Sequence, residues 1–129
     1  MLVVDTNVVV RYLANDDKAQ GARARRLIEQ HDVFVPLTVL LEAEWVLRSV
    51  YGWPAATVVR ALRGFAGLPR VMVESADAAA AALDWAEQGL DLADALHLAA
   101  ARGHEGMASF DKALKKTARR VGAPSVSEP

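Results

Sequence analysis

The sequence predicts a three-layer α/β/α domain built on a mostly parallel sheet of four or five strands. Short, unbroken apolar runs alternate with longer segments that carry the apolar spacing of helices. Runs without polar interruptions are typical of strands that are buried on both faces. Strands that alternate with helices imply crossover connections, which give a parallel sheet with helices on both faces. The chain has 129 residues, of which 53% are hydrophobic, and this suffices for a single domain over residues 1–129.

Turn and cap residues divide the chain into these elements. The predicted strands are 2–4, 33–35, 71–73 and 107–110, with 125–127 as a weak edge strand. The predicted helices are 8–13, 17–30, 37–51, 55–66, 76–88, 91–102 and 112–121. Ser75 is the predicted N-cap of the fifth helix, and Gly89 is its predicted end.

Composition excludes several kinds of protein. The chain contains no cysteine, which excludes disulfides, thiolate zinc sites and cysteine nucleophiles. No apolar stretch approaches the roughly 20 residues of a membrane span, and the N-terminus lacks the pattern of a signal peptide. These features predict a soluble, cytoplasmic protein without a membrane partner.

The net charge of −1 does not indicate a nucleic-acid binder by itself. Basic side chains do cluster locally, at 23–26 and at 112–120. A solvated helix face is the ordinary role of such a cluster. The second cluster begins directly after Asp111, and this position favours contact with a phosphate backbone more than the position of the first cluster does.

Two aspartates follow predicted strands, where parallel α/β proteins bind their ligands. Asp5 comes after the first strand and Asp111 after the fourth, and each alone would be taken for a helix N-cap. Asp94 stands three residues after Asp91, a spacing that resembles a capping box with Asp91 as the cap. A carboxylate in a first helical turn also points toward the strand ends, so Asp94 can serve both roles.

Glu42 and Glu44 lie two residues apart on the third helix, about 200° around its axis. Glu44 precedes Arg48 by four residues, which predicts a solvent-facing salt bridge. The neighbours of Glu42 at helical spacing, Thr38, Val39 and Val46, are uncharged. We therefore expect the Glu42 carboxylate to be partly buried without a cationic partner. Glu42 is therefore the functional candidate and Glu44 the structural one.

Carboxylates that converge repel one another unless cations neutralise them. Oxygen ligands favour Mg²⁺ or Mn²⁺ over zinc. Such ions lower the pKa of an attacking water and steady the leaving oxygen of a phosphate ester. A carboxylate site that holds Mg²⁺ or Mn²⁺ is therefore suited to chemistry on phosphate esters, and the sequence does not distinguish one ion from two.

Four segments carry a family resemblance that spans essentially the whole chain: Asp5-Thr6-Asn7-Val8, Leu40-Leu41-Glu42-Ala43-Glu44-Trp45-Val46-Leu47-Arg48, Asp91-Leu92-Ala93-Asp94-Ala95-Leu96-His97 and Ser109-Phe110-Asp111-Lys112. In order and spacing they resemble the PIN-domain ribonucleases. They resemble especially the toxin member of bacterial and archaeal type II toxin–antitoxin pairs, often called VapC.

The resemblance implies a set of roles for residues of this chain. It implies metal-binding, catalytic acids and polar groups that orient ligands or water. The acids are Asp5, Glu42, Asp94 and Asp111, and the supporting groups are Thr6, Asn7 and Ser109. The family often has threonine in place of Ser109, and the hydroxyl is retained here. The resemblance further implies an endoribonuclease acting on structured RNA such as tRNA or rRNA, a homodimer, and inhibition by a cognate antitoxin protein.

Three alternatives compete with this hypothesis. A receiver-type signalling domain needs an acidic pair after the first strand, but Asp5 is followed by Thr6. A phosphohydrolase with an aspartyl nucleophile needs an acid two residues after the first, where this chain has Asn7. A non-catalytic RNA- or protein-binding relative of the same fold remains open.

Overall fold

A computed structural model describes residues 1–129, with seven helices and five strands. The α/β class predicted from the sequence is confirmed, as is the parallel pairing of the strands. The chain forms two compact units, unit 1 (Met1–Ala76) and unit 2 (Asp77–Pro129). None of the seven helices has the length and apolar character needed to cross a bilayer.

Unit 1 is a three-stranded parallel sheet with four helices. Its elements are β1 (Leu2–Val3), α1 (Thr6–Ala14), α2 (Lys18–Gln30), β2 (Val33–Val35), α3 (Leu37–Ser49), α4 (Ala55–Ala66) and β3 (Val71–Val73). β2 is the central strand, with β1 and β3 on its two sides. Val33 and Val35 of β2 are fully buried, as are Leu40, Leu47 and Leu62 of the packed helices α3 and α4. Burial of these aliphatic side chains is the main stabilising contribution to unit 1.

Capping residues fix where the helices of unit 1 begin. Asp5 is the N-cap of α1, so this helix starts at Thr6 and is longer than the predicted 8–13. Asp17 caps α2 by accepting a hydrogen bond from the Gln20 amide at 2.9 Å. α3 follows Pro36, which offers no side-chain cap. The Leu37 amide of α3 instead donates to Glu74 Oε1 at 2.9 Å, from the residue directly after β3.

Unit 2 contains three helices and a two-stranded parallel sheet. Its elements are α5 (Ala76–Glu87), α6 (Leu92–Ala100), β4 (Met107–Ala108), α7 (Lys112–Val121) and β5 (Val126–Ser127). The first residue of α5, Ala76, is the last residue of unit 1. β4 is shorter than the predicted 107–110 because the chain bends at Phe110, between Ser109 and Asp111, where the Ser109 hydroxyl accepts a hydrogen bond from the Asp111 amide. The five strands thus form two hydrogen-bonded sheets, one of three strands and one of two.

Ser75 differs from its predicted role as the N-cap of α5. Its φ of 48° lies in the left-handed region, whereas an N-cap residue has an extended backbone. The residue turns the chain sharply between β3 and α5, so this position is a turn rather than a cap.

Candidate active site

Unit 1 joins three of the predicted site residues, which we call the Thr6 cluster: Asp5, Thr6 and Glu42. Asp5 has an extended backbone at the end of β1, and its Oδ1 accepts a hydrogen bond from the Thr6 amide at 2.8 Å. The Thr6 hydroxyl donates to Oε1 of Glu42 on α3. Thr6 is one of only two buried polar side chains, at 8% exposure. Thr6 therefore links two acids: its amide binds Asp5, and its buried hydroxyl binds Glu42, which lies 36 residues after Thr6 in the chain.

The structure corrects the expected burial of the two glutamates on α3. Glu42 is exposed, whereas Glu44 is 5% exposed. The predicted pair of Glu44 and Arg48 does form, with Arg48 Nε 3.1 Å from both carboxylate oxygens. It is a largely buried pair rather than a solvent-facing one, because Glu44 lies on the same helix face as the buried Leu40 and Leu47. Glu42 remains a candidate ligand because of its position beside Thr6.

Unit 2 holds the other predicted acids at two helix N-termini. Asp91 caps α6 and accepts from the amide of Asp94 at 3.3 Å. Asp111 caps α7 and accepts from the Leu114 amide at 3.0 Å. The Ser109 hydroxyl accepts from the Asp111 amide at 3.0 Å, which fixes the backbone where α7 begins. Capping is thus an observed role of both Asp91 and Asp111.

Asp94 is electrostatically the most perturbed of these acids. Burial raises the pKa of its carboxyl above the usual 3.8, and the negative charges of Asp91 and Asp111 raise it further. His97, one turn later on α6, acts in the opposite direction. We call Asp91, Asp94 and Asp111 the Asp94 cluster. Its like charges disfavour ionised Asp94, and a bound cation would favour it.

The donors in both clusters fit a hard divalent cation. They are carboxylate and hydroxyl oxygens, which Mg²⁺ and Mn²⁺ prefer. None of the four predicted ligands forms an ion pair with arginine or lysine, unlike Asp16, Asp32 and Glu44. Neither unit contains three or more acids or histidines already arranged to hold an ion. That Asp5, Glu42, Asp94 and Asp111 share one metal site stays a prediction.

Asn7, the remaining predicted residue, lies next to a feature that sequence reasoning missed. It is exposed in the first turn of α1 and lines a groove between α1 and α2, together with Arg11, Gln20 and Arg23. The spacing of residues 20, 23, 24 and 27, which places them on one face of α2, could have indicated that Arg23 faces another helix. The charge pattern of residues 23–26 by itself indicates only a solvated helix face for Arg23.

The chain matches a known protein family. The sequence model of the PIN domain matches residues 2–120, and no curated protein matches the chain. The match agrees with the predicted PIN-like α/β/α fold class. The receiver alternative is wrong, because receiver domains place β1 between β2 and β3, whereas β2 is the central strand here.

Proposed function

The chain belongs to the PIN-domain family, and on this premise we propose that it is an endoribonuclease that depends on Mg²⁺ or Mn²⁺. PIN domains are generally metal-dependent nucleases. The observation that carries the proposal for this chain is the state of Asp94. Its carboxyl is partly buried beside two like charges, has a raised pKa and pairs with no arginine or lysine. A divalent cation is the partner that would make this arrangement favourable.

The proposed ligands are Asp5 and Glu42 in unit 1 and Asp94 and Asp111 in unit 2. When bound, Mg²⁺ or Mn²⁺ neutralises charge on the phosphodiester and lowers the pKa of an attacking water. RNA hydrolysis by this chemistry requires no nucleophilic side chain. This agrees with the absence of cysteine from the chain.

Residues of the chain itself hold these acids in place. Thr6 orients the Glu42 carboxylate through its donated hydrogen bond. One carboxylate oxygen of Asp5 accepts a hydrogen bond from the Thr6 amide, and one of Asp111 accepts from the Leu114 amide. Ser109 supports Asp111 by accepting from its amide. Such supporting bonds restrict the rotamers of ligand side chains and tune their affinity for the metal.

We further propose a biological role from the resemblance described above. The chain would be the VapC-type toxin of a type II toxin–antitoxin pair, a cytoplasmic homodimer that cleaves structured RNA such as tRNA or rRNA. A cognate antitoxin protein would inhibit it. Expression in a bacterial host tests this role: growth should stop with the natural chain and continue with Asp5→Ala. Growth arrest that persists in Asp5→Ala would contradict the proposal.

RNA cleavage by the purified chain tests the activity directly. Cleavage is measured with Mg²⁺ or Mn²⁺ and again with a chelator. Asp94→Asn keeps the size of the side chain but removes its charge. We expect it to reduce the rate by more than about 100-fold, beyond the usual cost of losing a supporting group around a metal.

Asp77→Asn is the matched control, because Asp77 is also an acid in the first turn of a helix, α5. We expect its rate to stay within about twofold of the natural one, as for an exposed residue outside the site. Equal rates in Asp94→Asn and Asp77→Asn would contradict the proposed site. Binding of RNA without cleavage under all metal conditions would favour the non-catalytic alternative.

A further inference from the structure

The groove between α1 and α2 in unit 1 is a cavity of about 380 Å³ with an uneven distribution of polarity. Four polar side chains line it: Asn7 and Arg11 from α1, and Gln20 and Arg23 from α2. Val8, Ala24 and Leu27 complete the lining with aliphatic side chains. The volume is at the lower end of the roughly 300–1,000 Å³ typical of small-ligand sites. The groove is thus large enough for one small flat group with a charged substituent.

The two arginines of the groove differ in the hydrogen bonds that their guanidinium groups make within the chain. Arg11 is held by Gln20, by Tyr51 and by Asp16, with donor–acceptor distances of 2.7, 2.9 and 3.2 Å. Asp16 also offsets part of its charge. Arg23 is exposed and makes no hydrogen bond or ion pair. Its guanidinium can therefore turn to an incoming anion, and a guanidinium suits phosphate because it donates two parallel hydrogen bonds.

The amides of the groove are also available to a ligand. Oε1 of Gln20 accepts from Arg11 Nε, which orients the side chain and leaves its NH₂ group free to donate. Asn7 is exposed and its amide makes no hydrogen bond within the chain. Side-chain amides recognise the edges of nucleobases, and apolar side chains pack against the faces of a base taken out of its stack. The combination of one free guanidinium, two amides and an apolar floor corresponds to the chemistry of a nucleotide.

We propose that the α1–α2 groove binds one unpaired nucleotide of the RNA, with Arg23 on its phosphate and Asn7 and Gln20 on its base. This inference rests on the proposed ribonuclease function and names how that substrate is held. Asn7 lies two residues after Asp5, in the first turn of the same helix. The helix rises about 1.5 Å per residue, so Arg11 lies roughly 9 Å further along the axis than Asp5. The groove therefore takes a nucleotide that flanks the cleaved bond.

Binding of a labelled single-stranded oligoribonucleotide to the full chain, measured by fluorescence anisotropy with a chelator present, tests the inference without cleavage. We expect Arg23→Gln to weaken binding about tenfold, as for the loss of one charge-assisted hydrogen bond. In Arg23→Gln, the logarithm of the association constant should depend less steeply on the logarithm of the salt concentration, with a slope smaller in magnitude by about 1. Arg23→Lys keeps the charge but not the forked geometry, so its affinity should be intermediate.

Arg26→Gln is the matched control. Arg26 lies on the same helix, is equally exposed and does not line the groove. Its affinity should stay within about twofold of the natural one. Equal binding by the Arg23→Gln and Arg26→Gln variants would overturn the inference. Duplex RNA of the same length should show a smaller effect of Arg23→Gln, and an equal effect would overturn the assignment to an unpaired nucleotide.

Three further outcomes are distinguishable. If a glutamate-rich peptide binds with Arg23-dependent affinity while RNA binding is unaffected by Arg23→Gln, the groove takes a protein segment and the inference is wrong. If the natural chain neither binds nor cleaves RNA, the proposed function itself fails. If it cleaves RNA and Arg23→Gln leaves both KM and binding unchanged, only the nucleotide subsite fails. The inference is supported if Arg23→Gln raises the KM for RNA cleavage with little change in kcat.

Discussion

The Thr6 cluster and the Asp94 cluster both present carboxylates near helix N-termini or strand ends, but they are stabilised differently. In the Thr6 cluster the acids accept hydrogen bonds from the amide and hydroxyl of Thr6. In the Asp94 cluster the central acid lies beside Asp91 and Asp111, and its pKa is raised. The difference indicates that one cluster is satisfied within the chain, whereas the other gains most from a cation.

The largest expected effect is stabilisation by the cation. A ligand at about 100 times its Kd stabilises a folded protein by about 2.7 kcal/mol. We expect Mn²⁺ to raise the free energy of unfolding of the natural chain and of Asp77→Asn, and to have little effect on Asp94→Asn. Urea denaturation with and without Mn²⁺ measures this. Equal stabilisation of Asp94→Asn and Asp77→Asn would remove the distinction between the two clusters.

A second test addresses the Thr6 cluster. Thr6→Val keeps the side-chain shape but removes the hydroxyl that binds Glu42. Glu42 is exposed and can bind water instead, so we expect a loss of only about 1 kcal/mol in the free energy of unfolding. Thr6→Ser should retain most of the stability and the cleavage rate. A loss of cleavage in Thr6→Ser as large as in Thr6→Val would show that the hydroxyl is not the important group.

A third test compares two N-cap aspartates. Asp17→Ala removes the cap of α2 and should cost about 1 kcal/mol. Asp91→Ala also removes a cap, but it takes away a negative charge that raises the pKa of Asp94. We therefore expect a smaller loss of stability for Asp91→Ala than for Asp17→Ala. The reverse order, measured by urea denaturation without metal, would mean that repulsion within the Asp94 cluster is negligible.

The smallest expected effect is on the pH dependence of stability. The pKa of Asp94 is raised in the folded chain above its usual 3.8. The folded state therefore binds this proton more tightly, and stability falls as the pH rises from about 3.8 through the folded pKa. Asp94→Asn lacks this loss, so its stability relative to the natural chain should be greater at neutral pH than in acid. A constant difference across this range, without metal, would contradict the raised pKa.

Much of the fold could be predicted because it depends on local patterns. Apolar runs and cap residues located all five strands and seven helices, and α4 and β3 agree with the predicted bounds. The burial of Glu42 and Glu44 could not be predicted in the same way. Their opposite orientation follows from helix geometry, but which face of α3 is buried depends on its packing against α1 and α4. That packing joins residues far apart in the sequence.

The candidate site was likewise predictable only where it depends on local sequence patterns. Position after a strand indicated Asp5 and Asp111, and both lie at helix N-termini as their spacing suggests. The bond between Thr6 and Glu42 joins α1 to α3, and only the folded chain brings these helices together. The groove with Arg23 likewise requires two helices to meet. Serine favours the N-cap position, which explains the prediction for Ser75, but tertiary structure gives this residue a left-handed turn.

The bond from the Leu37 amide to Glu74 has a consequence for folding. A cap that comes from 37 residues away is absent until β3 has paired with β2. In any shorter piece of the chain that ends before residue 74, the Leu37 amide at the start of the helix that carries Glu42 can bind only water. During synthesis, the first turn of α3 acquires this partner only when the third strand joins the sheet. Fraying at that edge of the sheet would loosen the start of α3 at the same time.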